Sequence, residues 1–302
     1  MTSLYLIPYG GLGNQLFQIS AALALCEDKV TVLSNWGFAR ENSANKIEIE
    51  SWVLSSRIEF DRRPKASEFS QRLLNLILRI GARNRSRFLV KTLEVISSQY
   101  LSILLGKRLS VTANKGLGFS KLNPKSDSIL VGYFQSAHYA KKVIEELLSL
   151  RPRRMSKRAE ELLSVAQRKK ILVVHIRRGD YANEAFGILG DDYYKNAMEL
   201  LSHEAYEEIW IFSDEMSSAK LITVFSSDKR AIFIDDKGLE SSEVLEIMRH
   251  GNCYIIANSS FSWWAAQLRY DREAHVVCPS PWFKFTDSPT GILDDEWLKV
   301  HW

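Results

Sequence analysis

Cysteine is scarce in this sequence, and the few cysteines present show no sign of a metal centre or a disulfide framework. The 302 residues include three, Cys26, Cys253 and Cys278. None belongs to the C-x-x-C pair of a zinc or redox motif. Cys253 and Cys278 each lie in an apolar run, so we expect both to be small core residues in a reducing compartment.

Long hydrophobic runs are absent too. No uncharged apolar stretch is long enough to cross a bilayer. The N-terminal stretch MTSLYLIPYGG has no basic residue before its short apolar run, so it does not resemble a secretory signal peptide. We therefore expect a cytoplasmic protein that is at most peripheral at the inner face of a membrane.

Several ligand-binding patterns are also missing. No Asp-x-Asp triplet occurs, and this triplet is the usual sign of Mg²⁺ or Mn²⁺ on a nucleoside diphosphate. The glycine turn YGGLGNQLFQ (9–18) has Leu16 where a dinucleotide fingerprint places its third glycine, and it lacks the Gly-Lys-Ser/Thr of a P-loop. The sequence thus disfavours an NAD-dependent dehydrogenase, and we expect neither a metal nor a cofactor.

Positive charge is present but unevenly distributed. The chain has a net charge of +4, yet residues 62–108 contain eleven basic and two acidic residues, a net +9. The stretches FSQRLLNLILRI (69–80) and RFLVKTLEVISSQYLSILL (87–105) have helical apolar periodicity. We interpret residues 62–109 as a basic helical insertion that either packs its leucines on the core or rests on anionic lipid. No nucleic-acid-binding motif accompanies the charge, so we expect no nucleic acid partner.

The second half of the chain alternates short apolar runs with helix-like segments. This alternation predicts a parallel sheet covered by helices on both faces. A β-α-β unit also opens the chain, with a helix predicted over 14–27. We therefore predict an α/β fold of two Rossmann-type domains facing a cleft, 1–158 and 159–302. The strands predicted in the second domain are 171–176, 209–214, 231–235, 253–258 and 275–280.

The stretch HIRRGDY (175–181) places fixed positive charge at the end of a buried strand. Ligands of parallel sheets bind beyond the carboxyl ends of the strands, and a guanidinium group matches phosphate oxygens in shape and charge. Alternation along the strand puts Arg177 on the same face as His175. We assign Arg177 to a ligand and Arg178 to a structural ion pair, with a solvated surface turn as the alternative.

Two further strand ends carry polar groups. Ser259 and Ser260 open a helix directly after a strand, so their hydroxyls and the first helix amides can bind an anion. Asp214 ends another strand, where it either accepts hydrogen bonds from a guanine edge or a ribose hydroxyl, or caps the following helix. We expect Trp263 and Trp264 to be core residues.

The glycine turn near the N-terminus is a weaker signal. It joins a strand to a helix, allows a close backbone approach and carries the amides of Asn14 and Gln15 at its lip. A simple packing turn explains the same residues equally well.

Five stretches together resemble the bacterial α1,2-fucosyltransferases of glycosyltransferase family 11. The resemblance implies a GT-B-like fold, GDP-β-L-fucose as donor, and inverting, metal-independent transfer to the 2-hydroxyl of a terminal galactoside during the synthesis of a surface polysaccharide or oligosaccharide. The acceptor would be a galactose-terminated oligosaccharide or glycolipid. In the family's order, the stretches are GGLGNQLFQ (10–18), GYFQS (132–136), HIRRGDY (175–181), FSDE (212–215) and NSSFSWW (258–264).

The resemblance also implies roles for single residues. Arg177 would hold the β-phosphate, His175 would lie against the nucleotide, and Asp214 would meet the guanine or ribose. Asn14 would lie beside the fucose. The full set implied for GDP-fucose binding is Gly11, Gly13, Asn14, Gln15, His175, Arg177, Asp214, Ser259, Ser260 and Phe261. The chain departs from the family at Glu215, where a second aspartate is common.

Inverting transfer needs charge on the leaving diphosphate and, in some enzymes, a base for the acceptor hydroxyl. Besides Arg177 and Asn14, the candidate catalytic residues are Asp180, which a turn at Gly179 would return to the site, and Glu184. A mechanism without a dedicated base is the alternative. Rival functions are a fucosyltransferase of another linkage, a transferase for another nucleotide sugar, or a nucleotide-sugar-binding module without turnover.

Overall fold

The computed structural model shows a chain that divides into two compact units. Unit 1 comprises residues 1–150 and 289–292, and unit 2 comprises residues 151–288 and 293–302. The division at Leu150 lies before the predicted boundary at 158. The structure describes residues 4–36, 47–62, 68–82, 87–105, 108–124, 127–179 and 186–302.

Unit 1 is built on a five-stranded sheet in which all paired strands are parallel, in the order β4-β2-β1-β6-β5. Its central strands are short and almost wholly buried, as expected of a sheet covered on both faces. The strands are β1 (Leu4–Leu6), β2 (Val30–Leu33), β3 (Trp52–Val53), β4 (Ile58–Asp61), β5 (Ser110–Ala113) and β6 (Ser128–Val131). The helices are α1 (Leu12–Leu25), α2 (Glu68–Ala82), α3 (Arg87–Leu105), α4 (Ala137–Lys142) and α5 (Ile144–Leu148).

The basic segment forms the two helices that its periodicity predicts, α2 and α3. They form a layer of unit 1, and the alternative in which the apolar side chains of this segment pack on the core is confirmed. Their inner faces supply Leu74, Ile77, Val90 and Leu101 to the core that covers the sheet. The link between β4 and β5 therefore replaces an ordinary crossover helix with a helical pair.

A polar seam joins α3 to the edge of this sheet. Backbone amides of Leu109, Val111 and Ala113 donate to Ser102 Oγ at 2.9 Å, Ser98 Oγ at 2.8 Å and Glu94 Oε1 at 2.8 Å, respectively. The three acceptors recur every fourth residue of the helix, and the three donors recur every second residue of the chain leading into β5. The seam satisfies an edge strand that would otherwise expose unpaired amides.

Unit 2 has a six-stranded sheet with the order β10-β9-β8-β11-β12-β13, and all of its pairs are parallel. Its strands are β7 (Arg151–Pro152), β8 (Ile171–Ile176), β9 (Glu208–Ser213), β10 (Ala231–Phe233), β11 (Cys253–Ile255), β12 (His275–Ser280) and β13 (Leu298–His301). Its helices are α6 (Lys157–Ala166), α7 (Asp191–Leu200), α8 (Met216–Ala219), α9 (Thr223–Ser226), α10 (Ser241–Met248) and α11 (Ser260–Gln267).

The strand order of unit 2 is that of a Rossmann fold. Counted along the chain from β8, the sheet reads 3-2-1-4-5-6. The order reverses between β8 and β11, and ligands of such sheets bind in the crevice beyond the carboxyl ends at this switch point. The predicted α/β class with Rossmann-type domains is confirmed, and the fold places residues 175–179 and the NSSF stretch (258–261) at the switch point.

Buried side chains confirm two smaller predictions. Cys253 and Cys278 are buried, and burial raises the pKa of each thiol to about 12, so both are neutral core residues at pH 7. Trp263 and Trp264 are fully buried in contact with each other. Among the described residues, no helix is both long and apolar enough to cross a membrane.

Candidate active site

His175 is the second-to-last residue of β8 and is almost fully buried. Burial, reinforced by the positive charge of Arg177, lowers the pKa of this histidine to about 4, although Asp214 opposes the shift. The ring is therefore neutral at pH 7. Its Nδ1 has no hydrogen-bond partner within the described ranges. A neutral imidazole with an open nitrogen at the switch point can accept or donate one hydrogen bond to a ligand.

Arg177 follows directly after β8, and a carboxylate from the next strand holds its guanidinium group. Arg177 Nη1 lies 3.1 Å from Asp214 Oδ2, and about a quarter of each side chain remains exposed. The other carboxylate oxygen, Asp214 Oδ1, accepts the backbone amide of Arg178 at 2.9 Å. Asp214 therefore fixes both the end of β8 and the direction of the arginine that follows it.

Gly179 lies against the same carboxylate. A Cβ added there would lie 2.6 Å from Asp214 Oδ2, a separation that side chains do not tolerate. The close approach of Asp214 therefore explains why position 179 is a glycine. The cap alternative for Asp214 is wrong, because Glu215 is the N-cap of α8 and makes no side-chain cap bond.

Arg178 is used structurally. Its Nη1 donates to the backbone carbonyl of Leu189 at 2.8 Å, which ties the end of β8 to the chain leading into α7. The predicted ion pair of Arg178 stays a prediction. Asp180 and Glu184, the two candidate bases, lie outside the described residues.

The start of α11 forms the other side of the switch point. Ser259 is its N-cap, with Oγ accepting the amide of Phe261 at 3.3 Å. The rings of Phe261 and His175 are 6.0 Å apart between centroids, so this helix start lies beside β8. Ser260 is partly exposed at the first helical position. The hydroxyls and amides of this turn form a polar, positively polarised surface next to the end of β8.

Three residues that sequence reasoning missed support this site. Asn258 Nδ2 donates to the carbonyls of Phe186 at 3.3 Å and Gly187 at 3.1 Å, and Tyr194 Oη donates to the carbonyl of His175 at 3.3 Å. Asp236 follows β10, where burial raises its pKa; the charges of Asp235 and Asp214 add to this effect, and a backbone hydrogen bond and Arg158 oppose it. Asn258 adjoins Ser259 in a stretch already singled out, but nothing in the sequence marks Tyr194.

In unit 1, the glycine turn and the GYFQS stretch come together. Gln135 Nε2 donates to Asn14 Oδ1 at 2.9 Å, and the two residues are 121 positions apart. Gly10 has a positive φ of +73° at the turn, and a Cβ added there would lie 2.6 Å from Asn14 Nδ2. Gly11 differs, because an added Cβ would meet nothing within 4 Å. Gly11 therefore leaves open space beside the backbone, while Gly13 is buried within α1.

Other polar groups of this turn are occupied by the fold. Gln15 is buried, and its Nε2 donates to the carbonyl of Gly10 at 2.8 Å while its Oε1 accepts the amide of Ile49 at 2.9 Å. The amide of Leu12 donates to Glu48 Oε2 at 3.1 Å. The first amide of α1 thus donates to a carboxylate of the same unit. Because both polar atoms of the Gln15 side chain are also bonded within the fold, we leave Gln15 out of the ligand-binding set.

One group in the described part of the chain has the spacing of metal ligands. His203, Glu204 and His275 place one ligand atom each within 4.8 Å of one another at the partly exposed start of β12. This is the amino end of a parallel strand, opposite to the carboxyl ends that carry Arg177 and Ser259. The absence of a metal requirement at the candidate site stays a prediction.

Comparison with known proteins supplies a family. The model of glycosyl transferase family 11 matches residues 90–300. The O-antigen biosynthesis glycosyltransferase WbnK of Escherichia coli is 26% identical over 96% of this chain and 98% of its own length. An alpha-1,2-colitosyltransferase of Escherichia coli is 25% identical over 96% of each chain.

A comparison of folds gives the same architecture. A family 9 glycosyl transferase from Veillonella parvula aligns with a TM-score of 0.53 and 10% sequence identity, covering 99% of this chain and 87% of that one. At this identity the likeness concerns the fold alone. The predicted GT-B architecture is confirmed.

Proposed function

The chain belongs to glycosyl transferase family 11, and from that premise we propose that it transfers L-fucose from GDP-β-L-fucose to the 2-hydroxyl of a terminal galactoside. The transfer inverts the anomeric carbon and uses no metal. The acceptor is a galactose-terminated glycan on its way to a bacterial surface polysaccharide. The similarity to an O-antigen biosynthesis enzyme supports this choice of acceptor.

The observation that carries the proposal is the Arg177–Asp214 pair at the switch point of unit 2. Departure of GDP places negative charge on the β-phosphate in an oxocarbenium-like transition state. A guanidinium group already fixed by Asp214 can stabilise that charge without reorganising. One such hydrogen-bond donor lowers the activation free energy by about 3–4 kcal/mol. The start of α11, capped by Ser259, adds amides on the other side.

His175 contributes as a neutral group. Its lowered pKa keeps a second positive charge away from Arg177 at pH 7, and its Nδ1 is available to a ribose or phosphate oxygen. Asp214 acts on the reaction through Arg177, so we treat it as a positioning residue. In unit 1, Gly11 leaves open space beside the backbone, and Gln135 holds the side chain of Asn14.

The proton of the acceptor hydroxyl goes to a carboxylate in this proposal. Asp180 is the first candidate and Glu184 the second, and a positioned base contributes typically about 10²–10⁴-fold. A pH–rate profile of Asp180→Asn that coincides with that of the parent enzyme would exclude Asp180.

A second candidate donor is GDP-colitose. The similarity to an alpha-1,2-colitosyltransferase favours it, and colitose is the 3-deoxy counterpart of L-fucose. Both donors present the same GDP to Arg177, so they differ only at the sugar. The two functions are separated by turnover and not by nucleotide binding.

The test has two stages. Calorimetric titration with GDP in excess EDTA, repeated with ADP, UDP and NAD, should give tight binding of GDP alone, and Arg177→Ala should weaken that binding. A His203→Ala/His275→Ala variant removes the metal-like group and should bind GDP as the parent does. Preferential binding of ADP or UDP, or binding lost with EDTA, would overturn the donor assignment.

The second stage compares GDP-fucose with GDP-colitose on a terminal galactoside. Faster turnover of GDP-fucose, with an α-linked product by NMR, supports the first proposal and establishes inversion. Faster turnover of GDP-colitose would transfer the assignment to the second. A β-linked product would refute the inverting displacement.

A further inference from the structure

The outer surface of the helical pair α2–α3 is apolar to an unusual extent. On α3, the large exposed side chains are Phe88, Leu89, Val95, Ile96 and Ile103, and both Phe88 and Ile103 are 83% exposed. They form two neighbouring rows with a spacing of seven residues, Phe88–Val95 and Leu89–Ile96–Ile103, which together make one broad stripe along the helix. The stripe faces away from the core.

The neighbouring helix extends the same surface. Phe69 and Leu76 of α2 are exposed and also seven residues apart. The Phe69 ring packs edge-on against Tyr100, 5.2 Å between centroids, and so brings the start of α2 to the end of α3. The two stripes therefore run side by side on an antiparallel pair. We call this surface the apolar face; it is formed by Phe69, Leu76, Phe88, Leu89, Val95, Ile96 and Ile103.

The fold of unit 1 does not need the apolar face. The inner sides of the helices already fill the core with Leu74 and Val90, and the seam from Ser98 to Val111 ties α3 to the sheet. The helices thus carry a second apolar surface that remains in water. Contiguous exposed patches of large apolar side chains generally mark a surface that another body covers.

The charged residues around the apolar face indicate which kind of partner covers it. Arg72, Arg79 and Lys91 are exposed on the same two helices, and Lys91 lies between Phe88 and Val95 in the helical repeat. The acid Glu94 is directed to the sheet edge, where it accepts the amide of Ala113. The sequence of residues 62–108 has a net charge of +9, and Arg72, Arg79 and Lys91 place part of it on these helices, so a second copy would bring like charges together.

We propose that the apolar face is a membrane-docking surface that inserts its large side chains into the headgroup region of an anionic bilayer, with the flanking Arg and Lys residues on the lipid phosphates. Phe and Ile side chains each favour an apolar phase by about 10- to 100-fold, and each cation near the surface adds about fivefold. The helical pair thereby holds unit 1 against the membrane from which a lipid-linked glycan is presented. The docking goes beyond the proposed transfer and does not depend on the donor.

Vesicle flotation of the full chain tests the proposal. Binding to vesicles of phosphatidylcholine and phosphatidylglycerol in equal parts should be strong, and binding to phosphatidylcholine alone should be at least about 10-fold weaker, with sensitivity to salt. Phe88→Asp/Ile103→Asp should lower binding by at least about 100-fold. The matched control is Leu221→Asp/Phe285→Asp, which adds the same charge at two highly exposed apolar positions of unit 2 and should bind as the parent does.

Folding of the variants is checked by circular dichroism and by turnover on a water-soluble acceptor, which should be unchanged. Phe88→Ser/Ile103→Ser repeats the test without added charge and should also lose vesicle binding. Equal loss in the unit 2 control, equal binding to neutral vesicles, or no vesicle binding by the parent would each overturn the proposal. A concentration-dependent dimer that Phe88→Asp/Ile103→Asp dissociates, without vesicle binding, would assign the face to a second copy instead.

Discussion

The two units carry polar residues after their first strands, but they use them differently. In unit 1 the residues after β1 bond to the fold itself: Gln15 to Gly10 and Ile49, and Asn14 to Gln135. In unit 2 the end of β8 carries His175, whose Nδ1 has no partner among the described residues, and is followed by Arg177, whose side chain is about a quarter exposed. A turn whose side chains are hydrogen-bonded within the fold forms a rigid wall. A fixed charge at the carboxyl end of a sheet can instead bind a ligand.

The largest expected effect concerns the charge in unit 2. Arg177→Ala should lower kcat by about 100- to 1,000-fold, because it removes one preorganised donor from the leaving diphosphate. Thermal stability should change little. Arg230→Ala removes a surface arginine paired with Asp228 at 2.7 Å in the same unit, and its kcat should stay close to that of the parent. Equal kcat for Arg177→Ala and the parent would show that the fixed charge of unit 2 does not act on the leaving diphosphate.

The second effect concerns His175 and pH. Its folded pKa of about 4 lies below the ordinary value of 6.5, so the unfolded chain binds a proton that the folded chain excludes. Stability from this group is complete above about pH 6.5 and is lost as the pH falls toward 4, by at most about 3 kcal/mol. Urea unfolding across this window should show a flatter pH dependence for His175→Gln. Parallel curves for variant and parent would contradict the buried neutral assignment.

The third effect tests the rigid wall in unit 1. Gln15→Ala leaves the carbonyl of Gly10 and the amide of Ile49 without partners, which should cost about 2–3 kcal/mol of unfolding free energy. Affinity for GDP, measured on the folded fraction, should remain unchanged. Gln99→Ala, at an exposed position of α3, is the control and should lie within about 0.5 kcal/mol of the parent. Loss of GDP affinity without loss of stability would place Gln15 in the donor site after all.

The smallest effect concerns the seam at the sheet edge. Ser98→Ala removes the acceptor of the Val111 amide and should cost about 1 kcal/mol. Hydrogen exchange should then become faster at Val111 and its neighbours before it does so in the Rossmann sheet of unit 2. Unchanged protection at Val111 would show that the seam adds nothing to the edge strand.

Local pattern predicted the strands best where they were long and apolar. The strands at Ile171–Ile176 and His275–Ser280 begin and end as predicted, because buried parallel strands read as continuous apolar runs. The edge strands SVTA (110–113) and LKVH (298–301) were not predicted, since four residues with half their side chains polar resemble a loop. The predicted helix over 216–225 is two short helices, α8 and α9.

The sequence by itself determined the residue types at the ends of the parallel strands, and hence the Rossmann class and the arginine chosen for phosphate. Only the tertiary structure decided which of these residues meet. Asp214 turns to Arg177 and Gly179, and Gln135 reaches Asn14 across 121 positions, because strand order and not chain order sets their distance. The helical period of α3 likewise fits two apolar faces, and only packing against the sheet shows that Val90 is inside while Phe88 and Ile103 remain outside.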